Sequence, residues 1–158
     1  MDRLYFTITS EPKNKIYRDL LDYAVNKCAF ALVVTRPSLP CSGAGIRAFK
    51  TLEPYLREER VSSEWPGTRL LAGTARVLLY QFGPECASVF KELANRLYSW
   101  QQPDPPEDLC LLRANEEPWL VSIAHERDSF LHLSEDEKSE LLKALPDLAP
   151  ILMKSEDQ

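Results

Sequence analysis

Hydrophobic and polar positions along the chain follow two periods, one near two residues and one near 3.6. Leu4-Tyr5-Phe6-Thr7-Ile8 is rich in aromatic and β-branched residues and reads as a short strand. Ser10 then offers a helix N-cap, with Glu11 and Pro12 in a first turn that tolerates proline. Tyr17, Leu20, Leu21, Ala24, Val25 and Cys28 follow at helical spacing. Ala29 to Thr35 shows no polar alternation and is expected to be a central strand, buried on both faces.

After a loop from Arg36 to Gly45, the positions Ile46, Phe49, Leu52 and Leu56 predict a second helix, with Pro54 an awkward interior residue. Thr68 to Phe82 is β-like, with Gly73 as a turn or bulge between two strands. Pro84 opens the clearest helix, striped by Cys86, Val89, Phe90, Leu93 and Leu97. Leu109–Arg113 and Trp119–Ala124 predict a hairpin, and Phe130–Leu133 a further strand. If residues 126–129 make the turn between the last two, His125 faces Phe130 and His132 faces Ile123. Ser134-Glu135-Asp136-Glu137 has the spacing of a capping box, and the helix it opens buries Leu141, Leu142 and Leu145. The expected fold is α+β: a mostly antiparallel sheet covered by helices on at least one face, in one domain over residues 1–150, with 151–158 as a frayed tail.

The chain has 158 residues, of which 44% are hydrophobic, enough to bury roughly 70% of the surface of its unfolded form. Its longest apolar run, Cys28 to Val34, is far short of the ~20 residues of a membrane-spanning helix. With no signal-like start, a cytoplasmic setting and reduced thiols are expected for Cys28, Cys41, Cys86 and Cys110, which contain no C-x-x-C pair.

Charge changes the picture most. The chain carries −5 overall, but residues 1–100 hold +4 and residues 101–158 hold −9. An acidic surface in the later part would attract a basic protein partner and repel nucleic acid. Asp104, Glu107, Asp108, Glu116 and Glu117 flank one predicted strand and are the candidate docking carboxylates, with Trp100 as an aromatic anchor beside them. Association that weakens with salt is the corresponding expectation.

Catalytic candidates are weaker. His125-Glu126-Arg127-Asp128 is the densest ionisable cluster, at a strand end where acid–base chemistry is often placed, so His125, Glu126 and Asp128 are the candidate set. H-E-x-x-H spacing is absent, because residue 129 is Ser, and no metal or cofactor is called for. Cys41 precedes a helix start, a position that lowers a thiol's pKa and can make it a nucleophile. Gly43-Ala44-Gly45-Ile46-Arg47-Ala48 matches the relaxed dinucleotide fingerprint, but a proline-containing loop separates it from its strand.

Ser63-Glu64-Trp65-Pro66-Gly67-Thr68, Tyr98-Ser99-Trp100, Pro106-Glu107-Asp108-Leu109 and the run Pro118–Glu126 together resemble a family of small bacterial proteins, some carrying a stage III sporulation label. The resemblance extends from about residue 60 to Leu145. It implies a bacterial cytoplasmic protein and brings no catalytic motif with it. In size and acidity the chain is also similar to immunity proteins, which neutralise toxins. The reading that follows is a non-catalytic interaction protein with an acidic docking surface. The alternatives are a small enzyme using His125, Glu126 and Asp128, or a sporulation-associated regulatory component.

Overall fold

The computed structural model describes residues 2–37, 41–101 and 106–156. Eight strands form one antiparallel sheet: β1 (Leu4–Ile8), β2 (Phe30–Thr35), β3 (Leu56–Ser62), β6 (Ala75–Gln81), β7 (Glu107–Leu112), β8 (Pro118–Ile123), β9 (Asp128–Leu133) and β10 (Leu152–Lys154). Their spatial order is β10-β1-β9-β8-β7-β2-β6-β3. A small separate hairpin, β4 (Glu64–Trp65) and β5 (Thr68–Arg69), lies outside this sheet. The helices are α1 (Lys15–Ala24), α2 (Gly43–Leu52), α3 (Pro84–Leu93) and α4 (Glu135–Ala144). The expected α+β class is what the chain adopts.

All four helices contribute to one core on one face of the sheet. Tyr17, Leu20 and Leu21 of α1, Leu52 of α2, Phe90 of α3 and Leu141 of α4 meet Phe6, Val33, Leu109, Leu111 and Leu131 there. The opposite face has a second, smaller core. Trp65, brought by the hairpin, covers Leu32, Val34, Val77, Leu79, Cys110, Leu112 and Val121. Beyond the hairpin, β8, β9, β1 and β10 turn Ile123, Phe130, Tyr5, Thr7 and Met153 towards a face that no helix among the described residues covers.

Local chemistry explains the element boundaries. β2 is an interior strand buried over nearly its whole length, as its unbroken apolar run requires. The capping box of α4 forms as spaced, with Ser134 Oγ accepting from Glu137 N–H at 3.1 Å and Glu137 Oε1 accepting from Ser134 N–H at 2.9 Å. Register slips by one residue between β7 and β8, where Leu111 faces Leu120 but Leu112 faces Pro118. That bulge at Trp119 lets both Trp119 and Leu120 enter the helix-side core, while Val121 enters the other.

Several expectations are corrected. The first helix opens at Lys15 rather than at Ser10, and the third ends at Leu93, before Leu97. The helix predicted as far as Leu56 ends at Leu52; a 3-10 turn over Glu53–Tyr55, with Pro54 at its start, redirects the chain into β3. That strand, Leu-Arg-Glu-Glu-Arg-Val-Ser, is exposed at the sheet edge and lacks the apolar alternation that would announce it; its charges suit an edge that must not pair further. The tail is not frayed throughout: Leu152–Lys154 pair antiparallel with Phe6–Ile8, and Leu152 is buried. The connection after β8 is a 3-10 turn over Ala124–Glu126 closed by left-handed Arg127, so Ile123 faces Asp128. His132 consequently lies opposite Tyr5 of β1, with the two rings stacked at 4.4 Å.

Candidate functional site

Two regions compete for function, a charged corner at the start of β7 and the bare face of the sheet. The corner is built on Asp108. Its residue adopts a left-handed backbone, φ 55°, which Asp tolerates better than most side chains. Trp65 Nε1 of the hairpin donates to Asp108 Oδ2 at 3.1 Å, and Ala124 N–H donates to Oδ1 at 3.0 Å. The Asp108 N–H itself donates to the Trp100 carbonyl at 2.9 Å. Asp108, buried, thus ties together residues 63–68 and 118–126 through its carboxylate and residues 98–100 through its backbone N–H.

Glu107 is buried beside it. Arg36, which follows β2, brings its Nε to 2.8 Å from Glu107 Oε2, and the Arg36 guanidinium also lies over the Trp65 ring at 5.5 Å. On the solvent side, His125 Nδ1 is 3.9 Å from Glu107 Oε1, and the imidazole is 44% exposed. Burial raises the Glu107 pKa, aided by the neighbouring Asp108, while Arg36 and His125 oppose the rise. Burial also raises that of Asp108, against the two N–H donors that favour its charged form.

Donor atoms of Glu107, Asp108 and His125 lie within 4.8 Å of one another. A histidine and two carboxylates are a donor set that a divalent cation can use. Here Arg36 already supplies the positive charge against Glu107, so a cation would compete with it. What the corner can do chemically without one is hold an exposed imidazole against a buried carboxylate, an acid–base arrangement.

The predicted site residues scatter differently from expectation. Of the catalytic set, His125 joins the corner; exposed Glu126 lies 4.0 Å from His125 Nε2, on the solvent side. Asp128 opens β9 and provides no donor to the set. Cys41 is exposed ahead of Ser42, the N-cap of α2, and its thiol lies 3.8 Å from the Ser42 carbonyl. The fingerprint from Gly43 opens that helix, but β2 pairs antiparallel with both its neighbours, so the parallel crossover that nucleotide binding uses does not form. The remaining thiols, Cys28, Cys86 and Cys110, are buried, and burial pushes each up to about 12.

Three of the docking candidates, Glu107, Asp108 and Trp100, are corrected in their placement. Glu107 and Asp108 are inside, not on a rim. Trp100 is inside too: its Nε1 donates to the Tyr17 hydroxyl at 2.9 Å, and its ring packs on Phe90 at 4.9 Å. Glu116 and Glu117 are at the surface but pair with Arg60 at 2.9 Å and Arg3 at 3.3 Å. Asp104 lies outside the described residues. The proline-rich setting suggested loops, yet Glu107 and Asp108 directly precede the apolar run Leu109–Leu112, and that adjacency was the available signal for burial.

Sequence reasoning missed the second region. A trough of about 910 Å³ runs over the bare face, floored by Val121, Ile123, Phe130, Tyr5 and Thr7 and bounded by Pro66–Gly67, Pro118 and residues 153–156. Gly67 makes it possible. Its φ is +87°, and an added Cβ would stand 2.8 Å from Val121 Cγ1, so only glycine lets the hairpin lie down on β8.

No family model matches the chain, and no curated protein or solved structure matches it either. Among the described residues, no helix is long and apolar enough to cross a membrane.

Proposed function

We propose that the chain is a non-catalytic binding protein whose contact surface is the helix-free face of its sheet, centred on the trough between the hairpin and β10. One contrast carries this reading. Of the candidate docking carboxylates among the described residues, Glu107 and Asp108 are buried and Glu116 and Glu117, at the surface, pair with Arg60 and Arg3, whereas apolar side chains line an open concavity of about 910 Å³. Concave apolar surface with a few polar groups is the ordinary form of a binding site. The acidic-patch version of the interaction reading, with its toxin-neutralising corollary, loses its support from Glu107, Asp108, Glu116 and Glu117.

Salt separates the two versions. Material captured by the immobilised protein from extracts of its native host, protein and small-molecule fractions both identified, should persist from 50 mM to 500 mM salt (about one decade of screening). It should be lost with Thr7→Arg, which places a charge in the trough. Capture that fades with salt and depends on Glu116 and Glu117 instead would overturn the proposal and restore the acidic surface.

A second reading, a small acid–base enzyme, is favoured by one observation, the convergence of His125 on Glu107 and Asp108. It predicts that His125→Ala changes a chemical turnover without disturbing capture by the trough. A His125→Ala protein with an unaltered reaction profile against an acyl- and phosphoryl-ester panel excludes it.

A further inference from the structure

Resting on the open-face reading, we infer that the occupant of the trough is an uncharged small molecule with a flat apolar body and one hydroxyl- or amide-type polar end. Volume is the first argument. About 910 Å³ falls within the roughly 300–1,000 Å³ of small-molecule sites. A stable protein partner needs a contact of about 800 Å² on each side, and the Pro66–Gly67 wall standing on β8 obstructs a flat partner approaching this face.

Charge is the second. Among thirteen lining residues only Lys154 and Glu156 are charged, and they are of opposite sign. The two charges cancel, so the lining carries no net charge to be balanced by a ligand, and its complement is a molecule without net charge. Polarity along the trough is the third. Pro66, Gly67, Val121, Ile123 and Phe130 make the hairpin end apolar. At the β1–β10 end, Thr7 and Ser155 bring their hydroxyls to 2.7 Å from each other. The Thr7 oxygen has two lone pairs, so whichever of the two hydroxyls donates, it keeps one to accept from a ligand hydroxyl or amide N–H. Flatness is the fourth, since Phe130 and Tyr5 line the trough and the Tyr5 ring is held in one plane by its stack on His132.

The test is a matched fluorescent series: 1-pyrenemethanol, 1-pyrenecarboxylate, 1-pyrenemethylammonium and pyrene. Titrated into the full chain, pyrenemethanol is expected to saturate at one site, with at least about tenfold tighter binding than either charged analogue and a smaller advantage over pyrene. Thr7→Trp fills the trough and should weaken pyrenemethanol by about tenfold or more; Met153→Ala, at the rim, should leave a folded protein with a modest loss. Urea unfolding of each variant confirms that the fold is retained. Absence of saturable binding, equal binding of a charged analogue, or indifference to Thr7→Trp overturns the inference. If the pyrenes fail while Thr7→Arg still abolishes salt-resistant capture of a macromolecule, the small-ligand inference falls and the open-face reading stands. If capture is also indifferent to Thr7→Arg, both fall.

Discussion

The Asp108 corner and the bare sheet face are built from opposite materials and treated oppositely by the fold. The corner concentrates charge and seals it: Asp108 is fully buried and holds two N–H donors, and Glu107 holds Arg36. The bare face collects apolar side chains and leaves them reachable, with Tyr5 38% and Met153 61% exposed. Buried polar groups are retained where each has a partner, because a lone one is costly. Exposed apolar surface has no such internal account, and its natural explanation is an external one. At the Asp108 corner charge serves the architecture, and on the bare face apolar side chains remain reachable.

Mutations sharpen that contrast, beginning where the cost is highest. Asp108→Ala strands the Trp65 and Ala124 N–H groups in the interior and should destabilise by about 3–4 kcal/mol, read by urea unfolding. Asp108→Asn keeps one acceptor and suits the left-handed backbone, so it should recover at least half of that loss. If Asp108→Ala were neutral, the corner would not be the fold's fastening.

Glu137 comes next. Partial burial works against its charge, but the Ser134 N–H and the Arg113 and Arg3 guanidinium groups outweigh this and hold its pKa at about 2. A carboxyl lowered on folding stabilises the native state above its ordinary range, and that contribution is lost as pH falls from about 4.5 towards 2. Glu137→Gln should cost on the order of 2–3 kcal/mol near neutrality and flatten stability over that interval. Glu107 and Asp108, raised by burial, act in the opposite sense: their contribution is present below the ordinary carboxylate range and is lost as pH rises through their raised values. An acid limb that Glu137→Gln leaves unchanged would show that other carboxylates dominate it.

Gly67→Ala combines a strained φ with a 2.8 Å approach to Val121. It should cost about 1–3 kcal/mol and move the hairpin, so that a change in Trp65 fluorescence accompanies the loss. Smallest of all, Met153→Ser on the bare face should alter stability by no more than about 0.5 kcal/mol while reducing occupancy of the trough. A large stability change there would mean that the face is part of the folding core after all.

Elements with a strong local signal were legible in the chain itself. β1 falls on Leu4–Ile8, and the Ser134–Glu137 capping box forms as its spacing requires. Both follow from contacts within a few residues. The exposed edge strand β3 was hidden because its pairing with β6 uses backbone groups and almost no apolar pattern. Pairing of β10 with β1 was hidden for a different reason: three residues carry too little periodicity, and their partner lies nearly 150 positions away. The candidate site was half visible. His125 and the two carboxylates stood out by type, but their roles depended on Trp65, Arg36 and the Ala124 N–H, which no local spacing connects to them.

The amino-acid order by itself determined the α+β class, the main helix stripes, the Ser134 capping box and the uneven distribution of charge, because these depend on periodicity, local hydrogen bonding and composition. Folding decided what the charge is for. Arg3 meets Glu117 and Glu137, Lys27 meets Glu140, Arg36 meets Glu107, and Arg60 meets Glu116. Each pair joins the basic first hundred residues to the acidic remainder. Coulomb attraction acts over a few ångströms in space whatever the separation along the chain, so part of the imbalance seen along the sequence is met by pairing between its two parts, while the chain keeps its net −5.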